Sequence, residues 1–154
     1  MEVRPYSPAD EPAVVALWER CGLVRPANDP RKDIRRKLSV RPDLFLVGVQ
    51  DGTLVGSVMA GYEGHRGWLN YLAVEPSAQR AGLGRQLVEA AERRLRAAGC
   101  PKVNLQVRRS NAAAIEFYRR IGYTEDDVVS FGKRLEPDAP AGPGTGAPAS
   151  RART

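Results

Sequence analysis

The stretch from Leu69 to Arg96 constrains the fold more than any other part of the sequence. It begins with an apolar run that ends at Pro76, which is typical of a buried strand. Its second half predicts an amphipathic helix, because apolar side chains recur there at the spacing of one helical face: Leu83, Leu87, Val88, Ala91 and Leu95. Between the two lies a short loop with Gly82 and Gly84 at the predicted start of the helix. The chain is therefore expected to contain a strand and a helix joined by a glycine-containing loop.

This loop is a candidate phosphate-binding site. The first N–H groups of a helix have no partner inside it, and they lie at the positive end of the helix dipole. Glycine lets such a backbone approach an anion closely. The loop sequence, Gln79-x-x-Gly82-x-Gly84, matches neither G-x-x-x-x-G-K-[ST] nor G-x-G-x-x-G. An ordinary strand-to-helix turn that needs glycine for its geometry explains the loop equally well, so both interpretations stay open.

Length and composition narrow the class of protein. With 154 residues, 42% of them hydrophobic, the chain fits one globular domain with a real core. It has no signal-peptide pattern and no apolar run of about eighteen residues, so we expect a soluble, cytoplasmic protein without a membrane partner. The single histidine, His65, and two isolated cysteines do not make a metal site. The net charge of +6 admits a polyanionic partner, but no basic recognition helix or aromatic platform indicates nucleic-acid binding.

The order of predicted elements indicates a mixed α/β fold with helices packed on one largely antiparallel sheet. Helices are expected from Ser7 to about Gly22, Asp29 to about Val40, Leu83 to Gly99 and Asn111 to Gly122. Strands are expected at Glu2–Tyr6, Leu44–Gln50, Thr53–Tyr62, Trp68–Val74 and Val103–Val107, with one or two more in Tyr123–Leu135. The strand after the long helix should be parallel to the strand before it. The domain is expected to span residues 1–136, and the Pro, Ala and Gly of residues 137–154 predict a disordered tail.

A second motif follows the predicted fifth strand. Residues 111–123 read N-A-A-A-I-E-F-Y-R-R-I-G-Y, and together with Q-R-A-G-L-G at residues 79–84 they resemble the acetyl-coenzyme A-dependent N-acetyltransferases of the GNAT superfamily. In that family the order is strand, Q/R-x-x-G-x-G/A, helix, strand and N-x-x-A-x-x-x-Y-x-x-x-G-F/Y. The resemblance covers roughly residues 1 to 135 and looks closest to the YpeA-like branch. It implies a GNAT-type acyl-CoA N-acyltransferase fold, a mostly antiparallel sheet with a parallel, splayed central pair of strands and helices on both faces.

The resemblance also implies which residues bind acetyl-CoA, the cosubstrate. The pyrophosphate would lie on the N–H groups of residues 80–85, and the pantetheine arm would pair with the central strand. In that strand the N–H of Leu72 would polarise the thioester carbonyl. Asn111 would contact the pantetheine through its side-chain amide, although it suits a helix N-cap as well. The implied cofactor-binding residues are Leu72, Ala73, Val74, Gln79, Arg80, Ala81, Gly82, Leu83, Gly84, Arg85 and Asn111.

Tyr118 matches the family position of the general acid that protonates the departing thiolate. A phenol has a reference pKa of about 10, above that of a thiol, so it can donate a proton as charge develops on sulfur. The alternative role is core packing, because Tyr118 shares a helical face with Phe117 and Ile121.

The resemblance does not fix the general base. Some members of the family place a glutamate early in the central strand, but residues 68–71 contain no carboxylate here. Glu63 and His65, in the turn before this strand, are the nearest ionisable candidates, and either could simply be a solvated turn residue. Asn28 and Asp29, in the loop between the first two helices, could instead orient the acceptor.

We therefore expect an N-acetyltransferase that moves an acetyl group from acetyl-CoA to a primary amine by direct attack. The alternative is a module that keeps the fold and binds acyl-CoA without turnover. The acceptor could be a protein N-terminus, a lysine, a polyamine, an antibiotic or another metabolite, and a homodimer is compatible with the family.

Overall fold

The computed structural model describes residues 1–138, which form one sheet of five strands and four α-helices. The strands are β1 (Glu2–Pro5), β2 (Phe45–Gln50), β3 (Thr53–Tyr62), β4 (Gly67–Val74) and β5 (Val103–Leu105). They lie in sequence order across the sheet, and neighbours are antiparallel except β4 and β5, which are parallel. The predicted fold class and the parallel pair are confirmed.

Two of the helices begin at capping residues that the sequence predicts. The helices are α1 (Glu11–Arg20), α2 (Pro30–Leu38), α3 (Leu83–Ala97) and α4 (Ala112–Arg120). The Asp29 carboxylate caps α2 by accepting the N–H groups of Arg31 at 2.9 Å and Lys32 at 3.3 Å. Asn111 caps α4 by accepting the N–H of Ala114 at 3.1 Å. No helix in residues 1–138 is long and apolar enough to cross a membrane.

The helices cover both faces of the sheet, which therefore has two apolar cores. Successive side chains of a strand point to opposite faces, and β2 divides accordingly. Phe45 packs in one core with Trp18 of α1 and Ile34 of α2. Leu46 packs in the other core with Leu87 and its neighbours on α3, against which α4 also packs. Because both faces of the sheet are buried, its middle strands are mostly apolar.

The parallel pair separates along its length. The pairing of β4 with β5 begins at Gly67 and Val103 and ends at Leu69 and Leu105. On its other side β4 stays paired with β3, but a bulge interrupts that ladder near Tyr71, whose φ of 52° lies in the left-handed region. The second half of β4 therefore has one open edge.

The prediction of one or two strands within Tyr123–Leu135 is wrong, because no strand follows α4 in the described part of the chain. The segment runs beside β5 and is held there by side chains. Lys102 Nζ donates to Asp126 Oδ2 at 2.9 Å, and Gln106 bonds Ser130. β5 ends at Leu105 rather than at the predicted residue 107, so it offers little edge for a ladder. The apolar residues that suggested a strand are exposed: Val128, Val129, Phe131 and Leu135.

The predicted tail falls almost entirely outside the described residues, since residues 139–154 are not described. The boundary at residue 136 and the disorder of the tail stay predictions. Asp138 is described, and its side chain is buried against α2.

Candidate active site

The loop between β4 and α3 presents a row of unbonded N–H groups. Within the described chain, the N–H groups of residues 80–85 donate no hydrogen bond, and the first bond into α3 runs from Gln86 N to Gly82 O at 3.1 Å. Arg80 and Gly82 turn the backbone with φ values of 74° and 79°. An added Cβ at Gly82 would have nothing within 4 Å, so the loop is open. Free N–H groups at the positive end of a helix dipole suit an anion such as a pyrophosphate.

Gly84 lets α4 approach the start of α3. A Cβ at this position would stand 3.2 Å from Phe117 Cζ and 3.6 Å from Val74 Cγ2. The first distance is tighter than most Cβ atoms make and the second is ordinary van der Waals contact, so a glycine here lets α4 pack closely on α3 without displacing Phe117.

This packing brings Tyr118 to the region where β4 and β5 separate. Tyr118 is half-buried and makes edge-to-face contacts with Phe117 and Tyr123, with ring centroids 5.1 Å and 5.7 Å apart. It packs on the same core as Leu72 and Leu105 from the two separating strands. Burial raises the pKa of Tyr118 to about 12, so the phenol is protonated at neutral pH. Among residues 1–138 no group hydrogen bonds its hydroxyl. The side chain thus combines packing with an available proton.

The open edge of β4 presents backbone N–H groups. Glu75 N donates to Val55 O of β3 at 2.8 Å. Because the direction of N–H groups alternates along a strand, those of Val74 and Leu72 are directed away from β3. They lie beyond Leu69, where pairing with β5 ends.

Two side chains bond the carbonyl oxygen of Val74. It accepts from Gln79 Nε2 at 3.1 Å and from Cys21 Sγ at 3.3 Å. Gln79, a predicted cofactor-binding residue, therefore ties the loop to the end of β4. The N–H of Val74 stays available.

The bulge in β4 is held from the α1 face by a buried serine. Trp18 Nε1 donates to Ser57 Oγ at 2.8 Å, and Ser57 Oγ donates to the carbonyl of Tyr71 at 2.9 Å. The rings of Trp18 and Tyr71 are stacked, with centroids 3.8 Å apart. Together these contacts hold the backbone of Tyr71 in the left-handed conformation, which is rare for an aromatic residue.

The Tyr71 side chain is tied to α2. Its hydroxyl donates to Asp33 Oδ2 at 2.7 Å, and Arg36 Nη1 donates to Asp33 Oδ1 at 2.9 Å. Burial, together with the Asp33 carboxylate, raises the pKa of Tyr71. Sequence reasoning missed this network. One available signal was Ser57, a polar residue within an otherwise apolar strand, since a buried hydroxyl needs hydrogen-bond partners.

The remaining predicted site residues lie in two separate places, the start of α4 and the β3–β4 turn. Asn111 acts as the N-cap of α4, and its side-chain N–H₂ group is left for another acceptor. Glu63 lies in the β3–β4 turn, where its carboxylate accepts the N–H groups of His65 at 2.7 Å and of Arg66. These bonds lower the pKa of Glu63. The structure does not bring Glu63 or His65 to Tyr118, because their turn lies where Tyr62 bonds Gly99, after the C-terminal end of α3.

The sequence matches a known family and several relatives. Residues 10–123 match the model of the Acetyltransferase (GNAT) family. An acetyltransferase of Pectobacterium atrosepticum is 49% identical over 138 residues, which are 90% of this chain and 98% of that protein. An acetyltransferase of Sodalis glossinidius is 48% identical over 139 residues, with 90% and 98% of the two chains covered.

Solved structures share the fold. The PaiA N-acetyltransferase of Thermoplasma acidophilum, in complex with coenzyme A, has a TM-score of 0.73 at 20% identity and covers 83% of this chain and 92% of its own. The ribosomal-protein-S18-alanine N-acetyltransferase of Escherichia coli has a TM-score of 0.67 at 26% identity, covering 81% and 78%.

Proposed function

The chain belongs to the GNAT family of acetyltransferases, and from this premise we propose that it transfers an acetyl group from acetyl-CoA to a primary amine. One observation carries the proposal: the free N–H groups of residues 80–85 follow directly on the open edge of β4. The loop can bind an anion, and the neighbouring open edge of β4 can pair with an extended chain of amides. A coenzyme A thioester has both groups, a pyrophosphate and a pantetheine arm. The coenzyme A complex of the PaiA neighbour supports the same donor.

The proposed reaction is direct attack on the thioester. The amine nitrogen forms a bond to the carbonyl carbon, the carbon–sulfur bond breaks, and the nitrogen gives up a proton. The N–H of Leu72 stabilises the developing oxyanion. Tyr118 donates its phenolic proton to the departing sulfur. Asn111 contributes its free amide N–H₂ to the pantetheine arm.

We place Asp33 as the group that accepts the amine proton, because it lies on the side of the bulge where Tyr71 contacts α2. Its Oδ2 accepts a hydrogen bond from the Tyr71 hydroxyl at 2.7 Å. Glu63 has its carboxylate engaged by its own turn and a lowered pKa, which makes it a weaker base. The roles of Glu63 and His65 as bases, membership of the YpeA-like branch and a homodimer stay predictions.

The test places a negative charge in the loop. Gly82→Asp introduces aspartate, a residue type that tolerates the left-handed backbone of this position. The new carboxylate should repel a pyrophosphate bound to the same N–H groups. We expect acetyl-CoA affinity, measured by calorimetry, to fall on the order of 10–100-fold. Gly99→Asp is the matched control, because it makes the same change at a left-handed glycine with open space after the other end of α3. Equal affinity in wild-type protein and folded Gly82→Asp would refute the placement.

Turnover is tested separately by thiol release from acetyl-CoA across a panel of primary amines. Amine-dependent release supports the transferase. Tight acetyl-CoA binding without release by any amine would instead identify a binding module.

A further inference from the structure

The last described residue of the chain is bound as an anion at the start of α2. Asp138 is 4% exposed, although it belongs to neither apolar core. Its carboxylate accepts the N–H of Asp29 at 2.6 Å and a bond from Arg36 Nη2 at 2.7 Å, and Arg134 Nη1 lies 3.6 Å away. Lys32 Nζ donates to its main-chain carbonyl. A main-chain N–H, a guanidinium and a second cation are the groups that bind carboxylates in proteins.

This site is connected to the bulge in β4. Arg36 contacts Asp138 through Nη2 and Asp33 through Nη1, and Asp33 in turn accepts the hydroxyl of Tyr71 at 2.7 Å. The bound carboxylate is therefore two side chains away from the residue that forms the bulge. The negative charge of Asp138 also contributes, after burial and Asp33, to the raised pKa of Tyr71.

The residues around the Asp138 carboxylate are mostly basic, and they border an open pocket that can hold a further anion. Within its nine residues, α2 has one acidic side chain and five basic ones: Arg31, Lys32, Arg35, Arg36 and Lys37. An open pocket of about 540 Å³ lies between Arg36 and residues 132–136. Hydrogen bonds from Arg36 and Asp29 lower the pKa of Asp138 to about 2, so its carboxylate is ionised at neutral pH.

We propose that Asp138 is an internal occupant of a carboxylate-binding site, and that the same site receives a carboxylate of the acceptor. The acceptor is then an amine that also bears a carboxylate, which displaces Asp138 while its amine reaches the bulge. The inference rests on the proposed function, because it takes the bulge as the position of the thioester. The C-terminal segment thereby lowers the apparent affinity for the acceptor by the fraction of time that Asp138 fills the site.

The site is tested with succinate as the probe and succinamide as its uncharged analogue. Binding to the full chain is measured by NMR titration. Asp138→Ala should bind succinate on the order of tenfold or more tightly than wild type, since the internal competitor is gone. Asp127→Asn is the matched control, because it removes one exposed negative charge outside the pocket, and among residues 1–138 that carboxylate has no ion-pair partner. The isosteric Asp138→Asn serves as a second variant.

Substitutions of two arginines test whether succinate binds at Arg36. In the Asp138→Ala background, Arg36→Gln should abolish succinate binding, whereas Arg35→Gln, at an exposed position on the same helix, should leave it unchanged. Succinamide should bind to none of the proteins. Equal succinate affinity in wild type and Asp138→Ala, or succinate binding that survives Arg36→Gln, would overturn the carboxylate site.

The acceptor arm compares 6-aminohexanoate with 6-aminohexanamide in the thiol-release assay, because this longer amine can span the two side chains between Asp138 and Tyr71. Asp138→Ala should lower the KM for 6-aminohexanoate only, and Arg36→Gln, which also loses the contact with Asp33, should raise the KM for 6-aminohexanoate more than for the amide. Efficient turnover of uncarboxylated amines with no gain for 6-aminohexanoate refutes the inference and leaves the proposed function standing. Acetyl-CoA binding without release by any amine refutes the transferase, while the succinate titration still decides the carboxylate site.

Discussion

Replacing Ser57 with alanine tests whether the bulge in β4 depends on one buried hydroxyl. Ser57 is fully buried and serves two partners, accepting from Trp18 Nε1 at 2.8 Å and donating to the Tyr71 carbonyl at 2.9 Å. Alanine retains the Cβ of the serine but lacks the hydroxyl, so both hydrogen bonds are lost. The indole N–H of Trp18, which is also fully buried, then has no acceptor.

The expected loss follows from these two contacts. A buried donor without a partner costs about 1–3 kcal/mol, and the lost bond to the Tyr71 carbonyl adds about 1 kcal/mol. The free energy of unfolding should therefore fall by roughly 2–4 kcal/mol, and Tm should fall by about 5–15 °C for a chain of this size. Urea unfolding measures the first quantity and calorimetry the second.

The matched control is Ser77→Ala, which makes the same change at an exposed serine in the turn before α3. It should change stability by less than about 0.5 kcal/mol. If Ser57→Ala were as stable as this control, the bulge would not depend on the serine, and the packing of Trp18 on Tyr71 would have to hold it alone.

Three further changes have expected outcomes. Tyr118→Phe should keep acetyl-CoA affinity but lower turnover on the order of 10²–10⁴-fold in steady-state kinetics under chemistry-limited conditions; wild-type turnover would leave Tyr118 a packing residue. Gly84→Leu should lower the free energy of unfolding by about 1–3 kcal/mol in urea, because a Cβ would already press on Phe117, and unchanged stability would contradict that contact. Asp10→Asn should remove a stabilisation that exists above the unfolded carboxyl pKa of about 4; because Arg4 lowers the folded pKa, the stability difference from wild type should shrink as pH falls through that value, and a difference that grows in acid would refute the sign.

Local chemistry explains which parts of the fold are predictable from sequence. The start of α2 is predicted correctly because Asp29 caps residues two and three positions later, an interaction contained within one turn. β3 spans Thr53–Tyr62 as predicted, because its apolar run is bounded by turn residues. The same pattern wrongly predicts a strand after α4, because a strand also needs a neighbouring strand to pair with, and apolar composition alone does not provide one.

The network at the bulge is not visible in the sequence because its contacts are long-range. The Trp18–Ser57 bond spans 39 residues and the Asp33–Tyr71 bond spans 38. Periodicity places Trp18 in a core but cannot say which strand it faces. The left-handed backbone of Tyr71 runs against its residue type, so it is imposed by these tertiary contacts.

The connectivity of β4 keeps Glu63 and His65 away from the proposed position of the thioester. The turn that contains them enters β4 at one end, and the glycine loop leaves it at the other. The bulge at Tyr71 lies four residues beyond Gly67, the first residue of β4, which is about 13 Å along an extended strand. A base must reach the amine by one hydrogen bond or through one water, and in the proposed reaction the amine attacks a thioester beside the bulge. On the α1 and α2 face of the bulge, α2 supplies a carboxylate, Asp33, in contact with the Tyr71 hydroxyl.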